Sequence, residues 1–229
     1  MSCKLIIALD FPIKDQALQF IKPLSPNDCK LKVGFELFVA AGPDFVRLLV
    51  DKGFDVFLDL KFHDIPNTVA SACQSASALG VWMMNVHASG GDKMMAAARQ
   101  SLIDCNSTSK LIAVTVLTSM DQMQLSAINV HETLENQVKH LAQLTKRASL
   151  DGVVCSANEA GMLRKSFGDD FLLVTPGIRP ADFAIGDQKR VMTPAEANEA
   201  GVSYIVVGRP ITQSQIPLSV IEKINQDMH

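Results

Sequence analysis

The chain has 229 residues, which at about 150 residues per domain allows one large domain or two small ones and a substantial core. Lys and Arg number 21 against 24 Asp and Glu, so the net charge is −3; this disfavours nucleic acid or an anionic membrane as the main partner but leaves room for a small anionic ligand. The composition, 48% hydrophobic and 20% charged, is that of a globular protein, and one Trp with one Tyr is too few for a base-stacking platform.

The cysteines, Cys3, Cys29, Cys73, Cys105 and Cys155, are odd in number and lack C-x-x-C spacing. Neither a disulfide framework nor a zinc site is expected, and a reducing cytoplasm is the expected compartment. The apolar run Leu5 to Leu9 ends at Asp10 and is too short for a signal-peptide core. No window approaches the roughly 20 apolar residues that span a bilayer.

Short apolar runs predict strands at 5–9, 31–33, 54–60, 81–86, 111–117, 152–156, 171–175 and 204–208. Between them, helical stretches are expected at 43–53, 66–80, 91–103, 132–148 and 193–201. Pro43, Pro66 and Pro194 stand near first-turn positions, and Gly53, Gly80 and Gly201 just past helix ends. Strands alternating with helices imply βα units and a parallel sheet. Eight units at about 29 residues each fit a single compact (β/α)8 barrel over 1–229, a fold of ~250 residues typically. The competitor, a doubly wound sheet that binds a dinucleotide, would show G-x-G-x-x-G after the first strand; here that strand runs into Asp10-Phe11-Pro12.

In such barrels the active site lies at the C-terminal ends of the strands. The predicted strands deliver there Asp10, Lys32, Asp59 with Lys61, His87, Thr118 with Ser119, Ser156, Pro176 with Gly177, and Gly208 with Arg209. Alternation puts Leu58, Leu60 and Phe62 on the outer face of the third strand and Asp59 and Lys61 in the mouth. Lys32, one strand away at about 4.8 Å, is within reach of Asp59. With Asp64 in the following loop, the expected set of charges is Lys32, Asp59, Lys61, Asp64. A structural ion-pair network would look similar, but coupled charges concentrate in active sites. A lysine between carboxylates stays protonated and serves as proton donor and cation, whereas a Schiff-base lysine needs the neutral amine. A metal held by Asp59, His63 and Asp64 is the weaker reading, because Lys32 and Lys61 would put ammonium groups where a divalent cation belongs.

The last two units carry Thr175–Pro180 and Val206–Thr212, in the loops where barrels often bind phosphate. Arg179 and Arg209 supply forked donors, and the backbone at Gly208 can approach an oxyanion. The segment 175–192 is long enough to form a closing lid.

Together the motifs Lys32–Phe38 (KVGFELF), Asp59–Val69 (DLKFHDIPNTV), Val86–Gly91 (VHASGG), Thr175–Pro180 (TPGIRP), Gly186–Pro194 (GDQKRVMTP) and Tyr204–Thr212 (YIVVGRPIT) resemble the orotidine 5′-phosphate decarboxylase family of the bacterial type. The likeness runs nearly end to end, with no departure at a functional position. It implies a lyase that converts orotidine 5′-monophosphate to UMP without metal or other cofactor. It implies that Asp10 and Lys32 hold the ribose hydroxyls, that Asp59, Lys61 and Asp64 complete the charged network, and that Lys61 delivers the proton. Thr118 and Ser119 would lie by the pyrimidine, with Arg179, Gln188, Gly208 and Arg209 on the phosphate and Pro176 beside them in the pocket. Asp64, Ile65 and Thr68 would reach into the neighbouring site of a homodimer. His63 and His87 read as structural. Two alternatives stay open: a related sugar-phosphate aldolase or Mg2+-dependent decarboxylase, and a non-catalytic phosphate-binding barrel.

Overall fold

The computed structural model describes residues 3–180 and 192–228. Eight parallel strands close into a barrel in the order β1 to β8. They are β1 (Lys4–Ala8), β2 (Lys30–Val33), β3 (Val56–Phe62), β4 (Met83–His87), β5 (Lys110–Val114), β6 (Gly152–Val154), β7 (Leu172–Pro176) and β8 (Tyr204–Val207). The helices between and after them are α1 (Lys14–Ile21), α2 (Phe35–Asp51), α3 (Pro66–Ser77), α4 (Gly91–Asp104), α5 (Gln122–Ala127), α6 (Leu134–Arg147), α7 (Ala157–Phe167), α8 (Pro194–Glu199), α9 (Arg209–Thr212) and α10 (Pro217–Asp227). The expected (β/α)8 barrel is therefore the fold. Among the described residues no helix is long and apolar enough to cross a membrane.

Both faces of a parallel sheet are covered, so the strands read as continuous apolar runs. The inward residues Ile6, Ala8, Phe57, Met83, Ile112, Val174 and Val206 fill the barrel. The outward residues, such as Ile7, Leu31, Leu58, Met84, Leu111, Leu173 and Ile205, pack under the helices. Trp82 and Tyr204 meet edge to face at 5.0 Å near the N-terminal end of the barrel, and Lys30 Nζ stands 4.5 Å over the Trp82 ring. At Gly152 a Cβ would lie 2.1 Å from the Leu172 carbonyl oxygen, so the approach of β6 to β7 admits only glycine.

The expected helix at 43–53 is the second half of a longer α2. Gly42, at φ +72°, breaks that helix, and Pro43 restarts it. Helices α1, α5, α7, α9 and α10 were not among the expected ones. The signal for α7 is legible in hindsight: Glu159 accepts the Ser156 N–H at 2.9 Å, half of an S-x-x-E capping box.

Candidate active site

The C-terminal ends of the strands open on a cavity of about 510 Å3. Phe57, Val114, Val154, Val174 and Val206 give it an apolar floor. Its rim is charged: Asp10 beyond β1, Lys32 in β2, and Asp59 and Lys61 in β3 on one stretch, Arg179 and Arg209 after β7 and β8 on another. Thr118, Pro176, Gly177, Gly208 and Gln213 also line it.

The charged residues form a chain of ion pairs. Lys61 Nζ lies 2.7 Å from Asp59 Oδ1, Lys32 Nζ lies 3.4 Å from Asp59 Oδ2, and Lys32 Nζ lies 3.3 Å from Asp10 Oδ1. Alternation along β3 explains the first pair, since Phe57, Asp59 and Lys61 all point inward. Glycine at position 34 leaves space for the second cation, because a Cβ there would stand 3.0 Å from Lys32 Nζ. Burial pushes the Asp59 carboxyl up, but the Lys32 and Lys61 ammonium groups, with hydrogen bonds from Lys61 and Asn85, outweigh it and hold the group below the usual carboxylate range. The pair is thus a fixed dipole in a mouth with an apolar floor, able to stabilise negative charge that develops beside Lys61.

Asp64 departs from the expected set of four. It is exposed, its carboxylate accepts the Ile65 N–H at 2.6 Å, and no ion pair joins it to Lys61. The chain bends after Phe62 towards the start of α3 and carries Asp64 outward. Within one chain the sequence of charges is therefore Asp10, Lys32, Asp59, Lys61. Ile65 and Thr68, on the same exposed stretch, do not line the cavity. Ser119 is likewise exposed and outside the lining, whereas its neighbour Thr118 is part of it.

At the other stretch of rim, Arg179 is nearly buried and its Nη1 donates to the Ile178 carbonyl at 2.9 Å. Its backbone N–H donates to the Met192 carbonyl at 3.0 Å, which fixes the start of the long β7–α8 connection. Arg209 is exposed at the first position of α9, with Gly208 before it. Gln188 lies outside the described residues. His63 and His87 stack with ring centroids 5.4 Å apart. Burial, His63 and Lys61 push the His87 imidazole down against the opposing pull of Asp59. Among the described residues no three His, Cys, Asp or Glu side chains converge on a metal position.

A family model described as the orotidine 5′-phosphate decarboxylase / HUMPS family matches residues 3–224. The chain belongs to that family. Within it the chain stands with the orotidine 5′-phosphate decarboxylases, which are carboxy-lyases. A curated protein of that name from Pseudoalteromonas atlantica is 58% identical over 223 residues, covering 97% of this chain and 96% of the relative. Another, from Pseudoalteromonas translucida, is 55% identical over 228 residues, covering 99% and 97%. A crystal structure of orotidine 5′-phosphate decarboxylase from Lactobacillus acidophilus superposes with a TM-score of 0.89 at 41% identity, covering 99% of both chains.

Three residues in or beside the cavity of this decarboxylase-family site carry no place in the sequence-based expectation. Asn85 accepts the Lys61 backbone N–H at 2.7 Å and donates to Asp59 Oδ1 at 2.7 Å. The ring of Phe35 lies 5.2 Å from Lys61 Nζ. Gln213, beyond α9, reaches the cavity from the last unit. Asn85 was legible as an inward polar residue on an otherwise apolar strand. The other two carried no local signal.

Proposed function

We propose that the chain decarboxylates orotidine 5′-monophosphate to UMP, the last step of de novo pyrimidine nucleotide synthesis, on one catalytic barrel domain acting in the cytoplasm without a cofactor. The observation that carries the reading is Lys61 Nζ held 2.7 Å from Asp59 in a cavity that also presents Arg179 and Arg209. The arginines, with Gly208, Pro176 beside them and Gln188 from the β7–α8 connection, take the phosphate. Asp10 and Lys32 take the ribose hydroxyls, and Thr118 and Ser119 flank the pyrimidine.

The bond from C6 to the carboxylate carbon then breaks. CO2 departs and the electron pair stays on C6, where no neighbouring carbonyl delocalises it. The Lys61 ammonium group stabilises this carbanion electrostatically and gives it a proton, forming the C6–H bond; Lys61 regains a proton from solvent. Asp59 holds the ammonium before substrate arrives, so little reorganisation remains for the chemical step. Phosphate contacts remote from C6 add binding energy that closure of the mouth turns into rate.

Asp64, Ile65 and Thr68 belong, in this reading, to the neighbouring site of a homodimer. Ile65 at 67% exposure, and Phe35 at 55% exposure beside Lys61, leave apolar surface for such a contact. The family also bears the HUMPS name, which keeps an aldolase or a metal-dependent sugar-phosphate decarboxylase as the second reading. Lys32 weighs against the metal version, since its ammonium group lies 3.4 Å from the Asp59 carboxylate that would have to serve as ligand.

The test is ultraviolet loss of orotidine monophosphate with a chelator present. Lys61→Ala should reduce turnover by about 10⁴-fold or more while UMP still binds. Undiminished decarboxylation by that variant, activity abolished by EDTA, or nucleotide binding by the unaltered protein with no release of CO2 would each defeat the reading.

A further inference from the structure

The ladder between β3 and β4 loses its step beside the charged pair. Phe57 pairs with Met83 and Leu58 with Met84, but the next partners are Phe62 and Val86. Four residues of β3 advance against two of β4, so Asp59, Leu60 and Lys61 face Asn85 alone. The even difference preserves the alternation of faces and keeps Asp59 and Lys61 both inward. It also takes Lys61 into the left-handed region at φ +46°, which a residue with a Cβ seldom adopts. A backbone amide without its ladder partner needs another acceptor.

The Asn85 carboxamide supplies it. The side chain is fully buried, its Oδ1 accepts the Lys61 N–H at 2.7 Å, and its Nδ2 donates to Asp59 Oδ1 at 2.7 Å. That oxygen is the one that takes the Lys61 ammonium group, also at 2.7 Å. A single amide therefore grips the backbone of Lys61 and the carboxylate that aims its side chain. The neighbours on β4, Met83, Met84 and Val86, are apolar and buried, so a carboxamide at this spot is retained only with both of its bonds made.

We propose that Asn85 is a positioning residue for Lys61, fixing the left-handed backbone and the Asp59 carboxylate together so that the ammonium group points into the cavity. The proposal rests on the role given to Lys61 above. Other groups also act on Asp59: Lys32 from β2, Lys61 from β3 itself, and Asp10 from beyond β1 through Lys32. His87 from the end of β4, with His63 stacked on it, is within electrostatic reach. Of these neighbours, Asn85 alone bonds both the Asp59 carboxylate and the Lys61 backbone.

Two variants test it, each first checked by circular dichroism and thermal unfolding. Asn85→Leu removes both bonds while keeping the number and branching of the side-chain heavy atoms. Asn85→Asp keeps an acceptor for the Lys61 N–H but sets a carboxylate against Asp59. Both should lower kcat by about 100-fold, the scale of a misplaced reacting group, with UMP affinity within about threefold of the unaltered protein. In both, the acid limb of the kcat–pH profile should move to higher pH, because Asp59 loses a donor to its charged form. A folded Asn85→Leu with kcat within about threefold and an unmoved acid limb overturns the proposal. So does an Asn85→Asp variant of full activity, which would reduce the residue to a backbone acceptor. If the unaltered protein fails to turn over orotidine monophosphate, the functional reading falls separately. Carboxyl NMR titration of Asp59 then still decides whether Asn85 holds it, and a titration unchanged in Asn85→Leu counts against the proposal.

Discussion

Asp59→Asn isolates the energetics of the charged chain. The Asp59 side chain is 13% exposed and lies between Lys32, 11% exposed, and Lys61, 23% exposed. The substitution keeps the shape and leaves two ammonium groups without the carboxylate they share. Breaking a buried pair by removing one partner costs about 3–5 kcal/mol, because the remaining charge is stranded. Lys32 retains Asp10 at 3.3 Å and Lys61 is partly wet, so the low end, about 3 kcal/mol, applies. For a chain of this size that is a fall in Tm of about 6–12 °C at pH 7, read by circular dichroism. The pH dependence carries a definite sign. The native Asp59 carboxyl is held below its ordinary range, so its contribution to stability is complete above the unfolded value, about 3.9. That contribution is lost as pH falls through the lower native value. The Tm gap between parent and Asp59→Asn should therefore stay constant from pH 7 to pH 5 and narrow below about 4. A gap under about 2 °C at pH 7, or one that widens in acid, would refute the argument that Asp59 bears the two cations.

The remaining predictions concern the two ends of the cavity. Gly34→Ala meets no backbone penalty at φ −96°, but its new Cβ would crowd Lys32 Nζ at 3.0 Å. It should slow turnover about 10-fold with Tm nearly unchanged, measured by the same ultraviolet assay beside thermal unfolding. Arg179→Ala removes a nearly buried guanidinium group and should weaken UMP binding by about 1.5–3 kcal/mol, or about 10- to 150-fold, by calorimetry. The loss should be smaller for uridine, which has no phosphate.

The strand order was legible because a parallel barrel buries both strand faces, and runs such as Leu5–Leu9 and Tyr204–Val207 announce that locally. The ion pairs of Lys32, Asp59 and Lys61 followed from alternation and strand spacing alone. Asp64 could not be placed in this way. Alternation ends with the strand, and the turn that carries Asp64 outward is set by the start of α3 at Pro66. Apart from α7, whose capping box is readable, the unexpected helices are of two kinds. Helices α5 and α9 are six and four residues long, too short for a periodic signal. Helices α1 and α10 each bury two residues, Ala17 with Ile21 and Ile221 with Ile224, in an otherwise mixed pattern. The ladder slip at Lys61 left no mark in the local pattern, because a shift by an even number of residues leaves the hydrophobic alternation intact.

That invisibility has a physical consequence. The lower barrel is filled by Ile6, Phe57, Met83 and Ile112, and Trp82 against Tyr204 packs at its N-terminal end. Ladder pairing between β3 and β4 is regular up to Leu58. The departures from regular structure begin one residue later: the largely covered carboxylate, the left-handed lysine, the carboxamide bonded to both. Each would destabilise an isolated sheet, and each is tolerable here because the apolar layer beneath fixes β3 and β4 before the irregular stretch starts. The slip sits at the last point where the core still dictates strand position and at the first where a side chain can enter the cavity. A charge placed lower, at Phe57, would lie in the apolar floor at 2% exposure; one placed beyond the strand, as Asp64 is, turns to solvent. Position 61 thus combines a backbone still held by its neighbours with a side chain able to act on a ligand in the mouth.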